Sequence, residues 1–225
     1  MIVLGLTGSI GMGKSTVAAM MNALGIPVHD SDLAAHRLLE PKSEARLAIA
    51  AAFPHYQYPQ IYEKKTYNIN RRELGKIVFS DDEARERLEA IIHPMVRKSQ
   101  TEFLRASKIK GARIAALDIP LLFETGAEAR VDYTITVSAP YFLQRARVLA
   151  RPDMSEEKFH AILSRQMPDA EKRARSDFVI QTGLGRAHSF SSLKEILESI
   201  RQEVYGDSAG DNIADTNPLT MPIQR

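Results

Sequence analysis

A glycine-rich segment near the amino terminus gives the strongest chemical signal in the sequence. Residues 8–15 read GSIGMGKS and fit the pattern G-x-x-x-x-G-K-[S/T]. Glycines let successive backbone N–H groups point inward, and a helix beginning near Lys14 adds its positive end to this anion cradle. We therefore expect Lys14 to contact the β- and γ-phosphates of a nucleotide and the Ser15 hydroxyl to bind Mg²⁺. The expected nucleotide contacts are Gly8, Ser9, Ile10, Gly11, Met12, Gly13, Lys14, Ser15 and Thr16.

Two aspartates follow at the end of a second predicted strand, residues 26–30. Phosphoryl transfer to an alcohol benefits from a carboxylate that orients the hydroxyl and accepts its proton. Asp32 lies past the predicted strand end and can turn toward an acceptor, whereas Asp30 lies closer to the metal and phosphates. Both could instead cap the helix that begins near Leu33, because aspartate is a frequent N-cap residue.

Basic side chains are concentrated between residues 141 and 175, after Pro140. A guanidinium brought over a transferring phosphoryl group neutralises charge on its oxygens, so this stretch favours a lid. For several of its cations a solvated helix face is the competing explanation. The guanine-specifying pattern N-K-x-D is absent from the 225 residues, which disfavours a GTPase switch.

Short apolar runs predict the elements that position these residues. A buried parallel strand reads as such a run, and the helices between strands show apolar residues on one face. Between residues 33 and 110 the pattern is helical and charged, which indicates an inserted section. We expect His93-Pro94 to interrupt one helix and a capping pattern near Ser191 to begin the final helix. The predicted strands are 2–7, 26–30, 112–117, 133–137 and 178–180.

Composition limits the remaining possibilities. The chain has no cysteine, which excludes disulfides, thiolate nucleophiles and cysteine-bound metals. A formal net charge of +2 gives no support to nucleic-acid binding. No run of about 20 apolar residues occurs, and the amino terminus lacks the pattern of a secretory signal. We therefore expect a cytoplasmic protein that binds neither membrane nor nucleic acid.

The order of several short motifs resembles that of the dephospho-CoA kinase family over most of residues 1–200. The opening LTGSIGMGKST resembles the glycine loop of that family, and HDSD stands where a D-A-D segment is expected. Ser31 replaces the usual alanine between the aspartates and adds a hydroxyl near the expected phosphates. The other matching segments are RREL at 71–74, IIHP at 91–94, DIPLLFE at 118–124, RQM at 165–167, and the spacing of Gln144, Arg147 and Arg151.

The resemblance implies ATP-dependent phosphorylation of the ribose 3′-hydroxyl of dephospho-CoA, the last step of coenzyme A biosynthesis, with Mg²⁺ as the metal. It implies that Asp32 is the base, that Lys14 and Arg151 stabilise the phosphoryl group, and that Arg147 contacts ATP. The implied lid residues are Arg151, Arg165 and Lys172. The implied acceptor contacts are Asp30, Asp32, Arg71, His93 and Asp118.

The resemblance also implies an α/β P-loop nucleotide-kinase fold, with a five-stranded parallel sheet, flanking helices, a helical acceptor insertion and a lid. We expect the protein to act as a monomer or a weak homo-oligomer. The expected segments are a nucleotide core at 1–52, 111–140 and 176–205, an acceptor insertion at about 53–110, a lid at about 141–175, and a disordered tail at 206–225.

Two other functions remain open at this stage. A kinase for a nucleoside or nucleotide would share the core and differ in its acceptor pocket. A nucleotide-dependent regulatory module would hydrolyse ATP slowly and transfer phosphate only to water. The aspartate pair and the basic stretch argue against the regulatory module, because neither is needed for slow hydrolysis.

Overall fold

Five parallel strands form a single sheet in the order β2-β3-β1-β4-β5. The computed structural model describes residues 1–64, 66 and 68–206. Every neighbouring pair of strands is parallel, which confirms the predicted α/β sheet. The strands are β1 (Ile2–Thr7), β2 (Val28–Asp30), β3 (Ile114–Asp118), β4 (Tyr133–Ser138) and β5 (Phe178–Gln181).

Helices cover the sheet and fill the long connections between strands. Three short 3-10 segments add to them at 59–61, 127–130 and 182–184. Across the described residues, every helix is too short or too polar to cross a lipid bilayer. The helices are α1 (Lys14–Ala23), α2 (Ser31–Leu38), α3 (Arg46–Ala52), α4 (Arg71–Ser80), α5 (Asp82–Ile109), α6 (Tyr141–Leu149), α7 (Glu156–Leu163), α8 (Asp169–Arg175) and α9 (Arg186–Tyr205).

The main hydrophobic core lies between the sheet and the helices α1 and α9. Leu4 and Leu6 of β1 are fully buried, and so are Val17 of α1 and Leu193 of α9. Burying one such side chain stabilises the fold by roughly 1.5–3 kcal/mol. This core fixes β1 and α1 relative to each other, and therefore fixes the glycine loop that joins them.

A second hydrophobic core belongs to the helical insertion between β2 and β3. Leu38 of α2 and Ile49 of α3 pack in it together with Leu74 of α4 and Ile92 of α5. Helices α2 and α3 precede residue 53, where the insertion is expected to start, yet their apolar faces point into this core. Packing therefore groups α2 and α3 with α4 and α5.

The predicted helix break at His93-Pro94 is wrong. Helix α5 runs without interruption from Asp82 to Ile109 and contains Pro94 in its interior. A proline removes one backbone hydrogen bond and disfavours a helix locally. Here α5 packs against α2, α3 and α4, and this tertiary contact outweighs the local preference.

The predicted start of the last helix near Ser191 is also wrong. Helix α9 begins at Arg186, five residues earlier, after Gly185 with φ +100°. The Ser191 hydroxyl bonds to Glu195 inside the helix rather than capping it. The predicted tail begins at residue 206, and 207–225 lie outside the described residues.

Candidate active site

Strands β1, β2 and β3 each end in a polar residue at the carboxyl edge of the sheet. A cavity of about 620 Å³ opens at this edge. Thr7 ends β1, Asp30 ends β2 and Asp118 ends β3. The sheet register places Asp30 directly beside Asp118 on the neighbouring strand. Ligands of parallel α/β sheets bind at this carboxyl edge, so the topology brings the candidate residues to the expected place.

The predicted phosphate loop forms one wall of this cavity. Gly8, Ser9, Ile10, Gly11 and Gly13 line it, followed by Lys14, Ser15 and Thr16 at the start of α1. Met12 is the exception, because its side chain is buried in the main core. Gly11 adopts φ +78°, and a Cβ atom there would approach Val148 Cγ2 to 2.6 Å. A glycine is therefore required at this turn by conformation and by space.

Lys14 forms an ion pair with Asp118 across the floor of the cavity. The Asp118 side chain is 5% exposed. Burial raises the pKa of the Asp118 carboxyl, while the Lys14 ammonium acts in the opposite direction. A buried carboxylate beside an ammonium holds that cation over the strand ends, where nucleotide phosphates would meet it.

Asp32 lies in the first turn of α2, where the first cavity meets a second cavity of about 320 Å³. Its side chain reaches solvent through these openings, yet the surrounding walls remove much of its hydration. This desolvation raises the pKa of Asp32, and nearby Asp30 raises it further, while Lys14 lowers it. A carboxylate with a raised pKa is a better proton acceptor when it is ionised.

Asp30 has a structural contact as well as a place in the cavity. The Leu33 backbone N–H donates to Asp30 Oδ1 at 2.8 Å, so Asp30 is the N-cap of α2. Of the two capping possibilities, the structure therefore selects Asp30, and Asp32 keeps its carboxylate in the cleft. The cap fixes the start of α2 and with it the position of Asp32.

Two glutamines hold the phosphate loop from above. The Ile10 N–H donates to Gln166 Oε1 at 3.0 Å, and Gln144 Nε2 donates to the Ile10 carbonyl at 2.8 Å. Gln144 lies on α6, and Gln166 lies in the connection between α7 and α8. The segment predicted to be a lid therefore binds both the N–H and the carbonyl of Ile10. The matching motifs contain these glutamines, yet residue type alone did not indicate this contact.

Arg147 and Arg151 both line the first cavity. Arg147 donates through Nη2 to the Thr182 carbonyl at 2.9 Å and through Nη1 to Thr182 Oγ1 at 3.1 Å. Thr182 in turn donates to the Met12 carbonyl at 2.5 Å, so Arg147 is tied to the base of the loop. Arg151 forms no ion pair within the described residues and remains exposed at the cavity edge.

Arg165 and Lys172 lie away from the first cavity. The Arg165 guanidinium stands 4.4 Å from the ring centroid of Phe79 and donates to the Phe79 carbonyl at 2.6 Å. Lys172 is completely buried and pairs with Glu124 at 2.8 Å. Lys172 belongs to the expected lid, yet its ammonium is enclosed by Glu124 and the Pro120 carbonyl and does not line the first cavity. Arg165 joins the predicted lid to the helical insertion instead.

The second cavity is the candidate acceptor site. It lies between α2, α5 and the segment after β3, and His93 from the expected acceptor set lines it together with Asp32. Arg71, another expected acceptor contact, is exposed at the start of α4 and lies outside the lining of both cavities. The sequence reasoning missed several lining residues, namely Ile92, Val96, Arg97, Arg130, Thr182, Arg186 and Ser189.

Ser31 has a different environment from the one expected. Its side chain is buried, and Gln100 Nε2 donates to its hydroxyl at 2.9 Å. Gln100 lies on α5 and is 3% exposed. The hydroxyl therefore links the aspartate segment to the insertion and does not face the expected phosphates. A buried serine between two aspartates could not be recognised from the alternation of polar residues alone.

The first cavity suits a magnesium–nucleotide complex. Its lining offers the Ser15 hydroxyl and the carboxylates of Asp30, Asp32 and Asp118, all of them hard oxygen donors. Within the described residues, no three acidic or histidine side chains are grouped closely enough to hold a metal by themselves. Mg²⁺ usually takes one or two protein ligands and completes its shell with phosphates and water.

Comparison with known proteins gives a consistent family. Residues 2–185 match the family model of dephospho-CoA kinase. The chain is 49% identical over 201 residues to the dephospho-CoA kinase of Mesorhizobium japonicum, covering 89% of this chain and 98% of that one. It is 48% identical over 209 residues to the Brucella melitensis dephospho-CoA kinase, covering 93% and 98% respectively.

Two solved structures share the architecture. A Thermus thermophilus protein superposes with a TM-score of 0.76 at 36% identity, covering 88% of this chain and 97% of that one. The dephospho-CoA kinase from Campylobacter jejuni superposes with a TM-score of 0.66 at 28% identity, covering 89% and 98%. The similarity therefore extends over the core, the insertion and the predicted lid together.

Proposed function

The chain belongs to the dephospho-CoA kinase family, and from this we propose how its residues carry out the reaction. The enzyme transfers a phosphoryl group from ATP to dephospho-CoA in the final step of coenzyme A biosynthesis. The observation that carries the assignment of roles is the position of Asp32, which borders the loop cavity and the second cavity at once. Donor and acceptor bound in the two cavities meet at this carboxylate.

The phosphate loop binds the donor. The loop of residues 8–13 and the start of α1 surround the phosphates, and Lys14 and Arg151 bring positive charge to the transferring group. Ser15 and the strand-end carboxylates would hold Mg²⁺, which would supply charge neutralisation to the nucleotide phosphates. Arg147 keeps the base of the loop in place through Thr182. The nucleoside end lies toward Arg186 and Ser189, where the same cavity continues.

The ribose 3′-hydroxyl of the acceptor approaches Asp32. Its oxygen forms a bond to the γ-phosphorus, the bond from that phosphorus to the β,γ-bridging oxygen breaks, and ADP departs with the bond electrons. The hydroxyl proton passes to the Asp32 carboxylate. Catalysis therefore rests on positioning and charge stabilisation, with no covalent intermediate on the enzyme.

Acceptor profiling tests this function directly. ADP release from magnesium–ATP is measured with dephospho-CoA, adenosine, AMP, shikimate or no acceptor, using wild-type enzyme and Asp32→Asn. We expect strong stimulation by dephospho-CoA alone, and loss of that stimulation in Asp32→Asn. Equal slow hydrolysis under all conditions would contradict the kinase function, while stimulation retained in Asp32→Asn would contradict the base.

The cellular setting and assembly complete the proposal. We expect a monomer or a weak homo-oligomer acting in the cytoplasm. Sedimentation velocity over a range of concentrations tests the assembly. A stable dimer at nanomolar concentration would contradict it.

A further inference from the structure

Two arginines line the second cavity without a carboxylate partner. Arg97 comes from α5 and Arg130 from the 3-10 segment after β3, and both border the cavity that contains Asp32. Within the part of the chain that the structure describes, neither guanidinium forms an ion pair. The other titratable groups on the lining are Asp32, His36, Glu89 and His93.

The nearby acidic group is engaged elsewhere. Glu89, the glutamate of this lining, lies 3.8 Å from Arg85 on the same helix and therefore faces another guanidinium. Arg97 and Arg130 line the same cavity, and burial together with the positive charge of Arg97 lowers the pKa of Arg130. Two like charges held together in a concave site make a binding place for an anion.

A buried hydrogen-bonded chain holds one of these cations in place. Arg130 Nη1 donates to Gln100 Oε1 at 2.8 Å, and Gln100 Nε2 donates to Ser31 Oγ at 2.9 Å. Gln100 is almost completely buried, so both of its polar atoms depend on these partners. The same glutamine therefore positions Arg130 and the residue that precedes Asp32.

We propose that Arg97 and Arg130 bind the 5′-diphosphate of dephospho-CoA. This assignment rests on the proposed function, because it takes the acceptor hydroxyl to be at Asp32. In an adenosine 5′-diphosphate, the 3′-hydroxyl and the 5′-phosphate are carried by one sugar ring. An acceptor whose hydroxyl meets Asp32 therefore extends its diphosphate into the same cavity, where the two guanidiniums are its complementary charges.

The apolar part of the cavity agrees with this orientation. Leu39, Leu88, Ile92 and Val96 are among the apolar residues of its lining, which suits the uncharged portions of the acceptor. Arg97 and Arg130 are thus the groups by which the enzyme distinguishes dephospho-CoA from an uncharged nucleoside with the same hydroxyl. Specificity arises because the guanidiniums find no anionic partner when the diphosphate is missing.

The test crosses enzyme variants with two acceptors. Arg97→Gln and Arg130→Gln are compared with wild type and with Arg105→Gln, which removes an exposed charge from α5 outside the cavity. Steady-state kinetics give kcat and KM for dephospho-CoA. Calorimetry gives the Kd of dephospho-CoA and of adenosine, which has the hydroxyl and lacks the diphosphate.

We expect each cavity variant to raise the KM and Kd of dephospho-CoA about 10- to 100-fold, the size of one or two charge-assisted hydrogen bonds. Adenosine binding should change less than about threefold, and kcat should remain near wild type. Arg97→Lys should restore part of the affinity, because it keeps the charge and loses the planar donor pair. Arg97 has no hydrogen bond from its side chain to a described protein group, so Arg97→Gln avoids disturbing Gln100.

Equal weakening of adenosine and dephospho-CoA would overturn the inference, and so would dephospho-CoA affinities no lower than that of Arg105→Gln. These results leave the proposed function in place as long as wild-type enzyme phosphorylates dephospho-CoA. Absence of transfer by wild type would instead remove the proposed function itself.

Discussion

Asp32 serves chemistry at the expense of folding stability. Its pKa is raised, chiefly by desolvation, so the folded protein prefers the protonated form of this carboxyl. The contribution of this group to stability is fully present below its unfolded pKa of about 3.8 and is lost as pH rises through its folded pKa. Ionising Asp32, as the reaction requires, therefore costs the folded protein more free energy than it costs the unfolded chain.

Replacing Asp32 by Asn should separate these two effects. We expect Asp32→Asn to bind ATP normally and to lose turnover by about 10²–10⁴-fold. Its Tm at pH 7 should exceed that of wild type, and the difference should shrink below pH 4. Thermal unfolding across this pH range, together with kcat, checks both parts. A lower Tm at pH 7 would mean that the carboxylate stabilises the fold.

Lys14 affects the proton acceptor as well as the phosphates. Its positive charge lowers the pKa of Asp32 and of Asp118, so its removal raises both. We expect Lys14→Ala to reduce kcat and to move the acid limb of the remaining kcat/KM profile to higher pH. Lys42→Ala, at an exposed position, is the matched control and should leave the profile unchanged. An unshifted acid limb in Lys14→Ala would show that the Lys14 charge does not control the ionisation of Asp32.

At the residue scale, the sequence predicted the positions of some functional side chains and not of others. The loop residues could be predicted because glycine spacing, Lys14 and Ser15 together define one local geometry. The destinations of Arg165 and Lys172 could not, because a long side chain is placed by neighbours distant in sequence. Phe79 lies 86 residues from Arg165, and Glu124 lies 48 residues from Lys172.

At the scale of elements, α6 and the α7–α8 connection hold the phosphate loop at Ile10. Gln166 accepts from the Ile10 N–H, and Gln144 donates to the Ile10 carbonyl. We expect Gln144→Leu and Gln166→Leu to raise the KM for ATP about tenfold, because a buried loop group loses its partner at a cost of roughly 1–3 kcal/mol. Gln202→Leu, on the exposed face of α9, is the control. Unchanged ATP affinity in both variants would show that the loop holds its shape without them.

The elements themselves were predictable where periodicity and packing agree. The strand positions, the start of α6 after Pro140 and the loop-to-α1 junction follow from local pattern. Helix α5 did not, because Pro94 signals a break that contacts with three other helices override. Gly185 begins α9 without a side-chain cap, so the capping rule pointed to Ser191 instead.

At the scale of the molecule, the contact between Arg165 and Phe79 joins the lid segment to the helical insertion. Arg165 and Phe79 are both partly exposed, and together they supply a cation–π contact and a hydrogen bond, roughly 1–2 kcal/mol in sum. We expect Arg165→Gln to raise ATP hydrolysis without acceptor several-fold, because the cleft excludes water less well. Arg175→Gln breaks only an exposed pair within α8 and is the control. An unchanged hydrolysis rate would show that the contact does not control water access.

The general architecture could be predicted from the order of motifs, whereas the limits of the insertion could not. Residues 33–52 read as ordinary amphipathic helices, which cover a sheet or an insertion equally well. Only the second core shows which surface they meet, through Leu38 and Ile49. The division of the chain into core, insertion and lid therefore depends on contacts that no local pattern contains.

The position of β2 has a consequence for amide hydrogen exchange. Among the described residues, this three-residue strand lies at the edge of the sheet and has β3 as its one neighbour. Short edge strands open at a lower free energy than the whole protein unfolds. The backbone that carries Asp30 and Asp32 should therefore exchange by local opening, and an acceptor that bridges to Arg130 should slow that exchange. Deuterium uptake by residues 28–33 thus becomes a ligand-occupancy signal from within the catalytic segment.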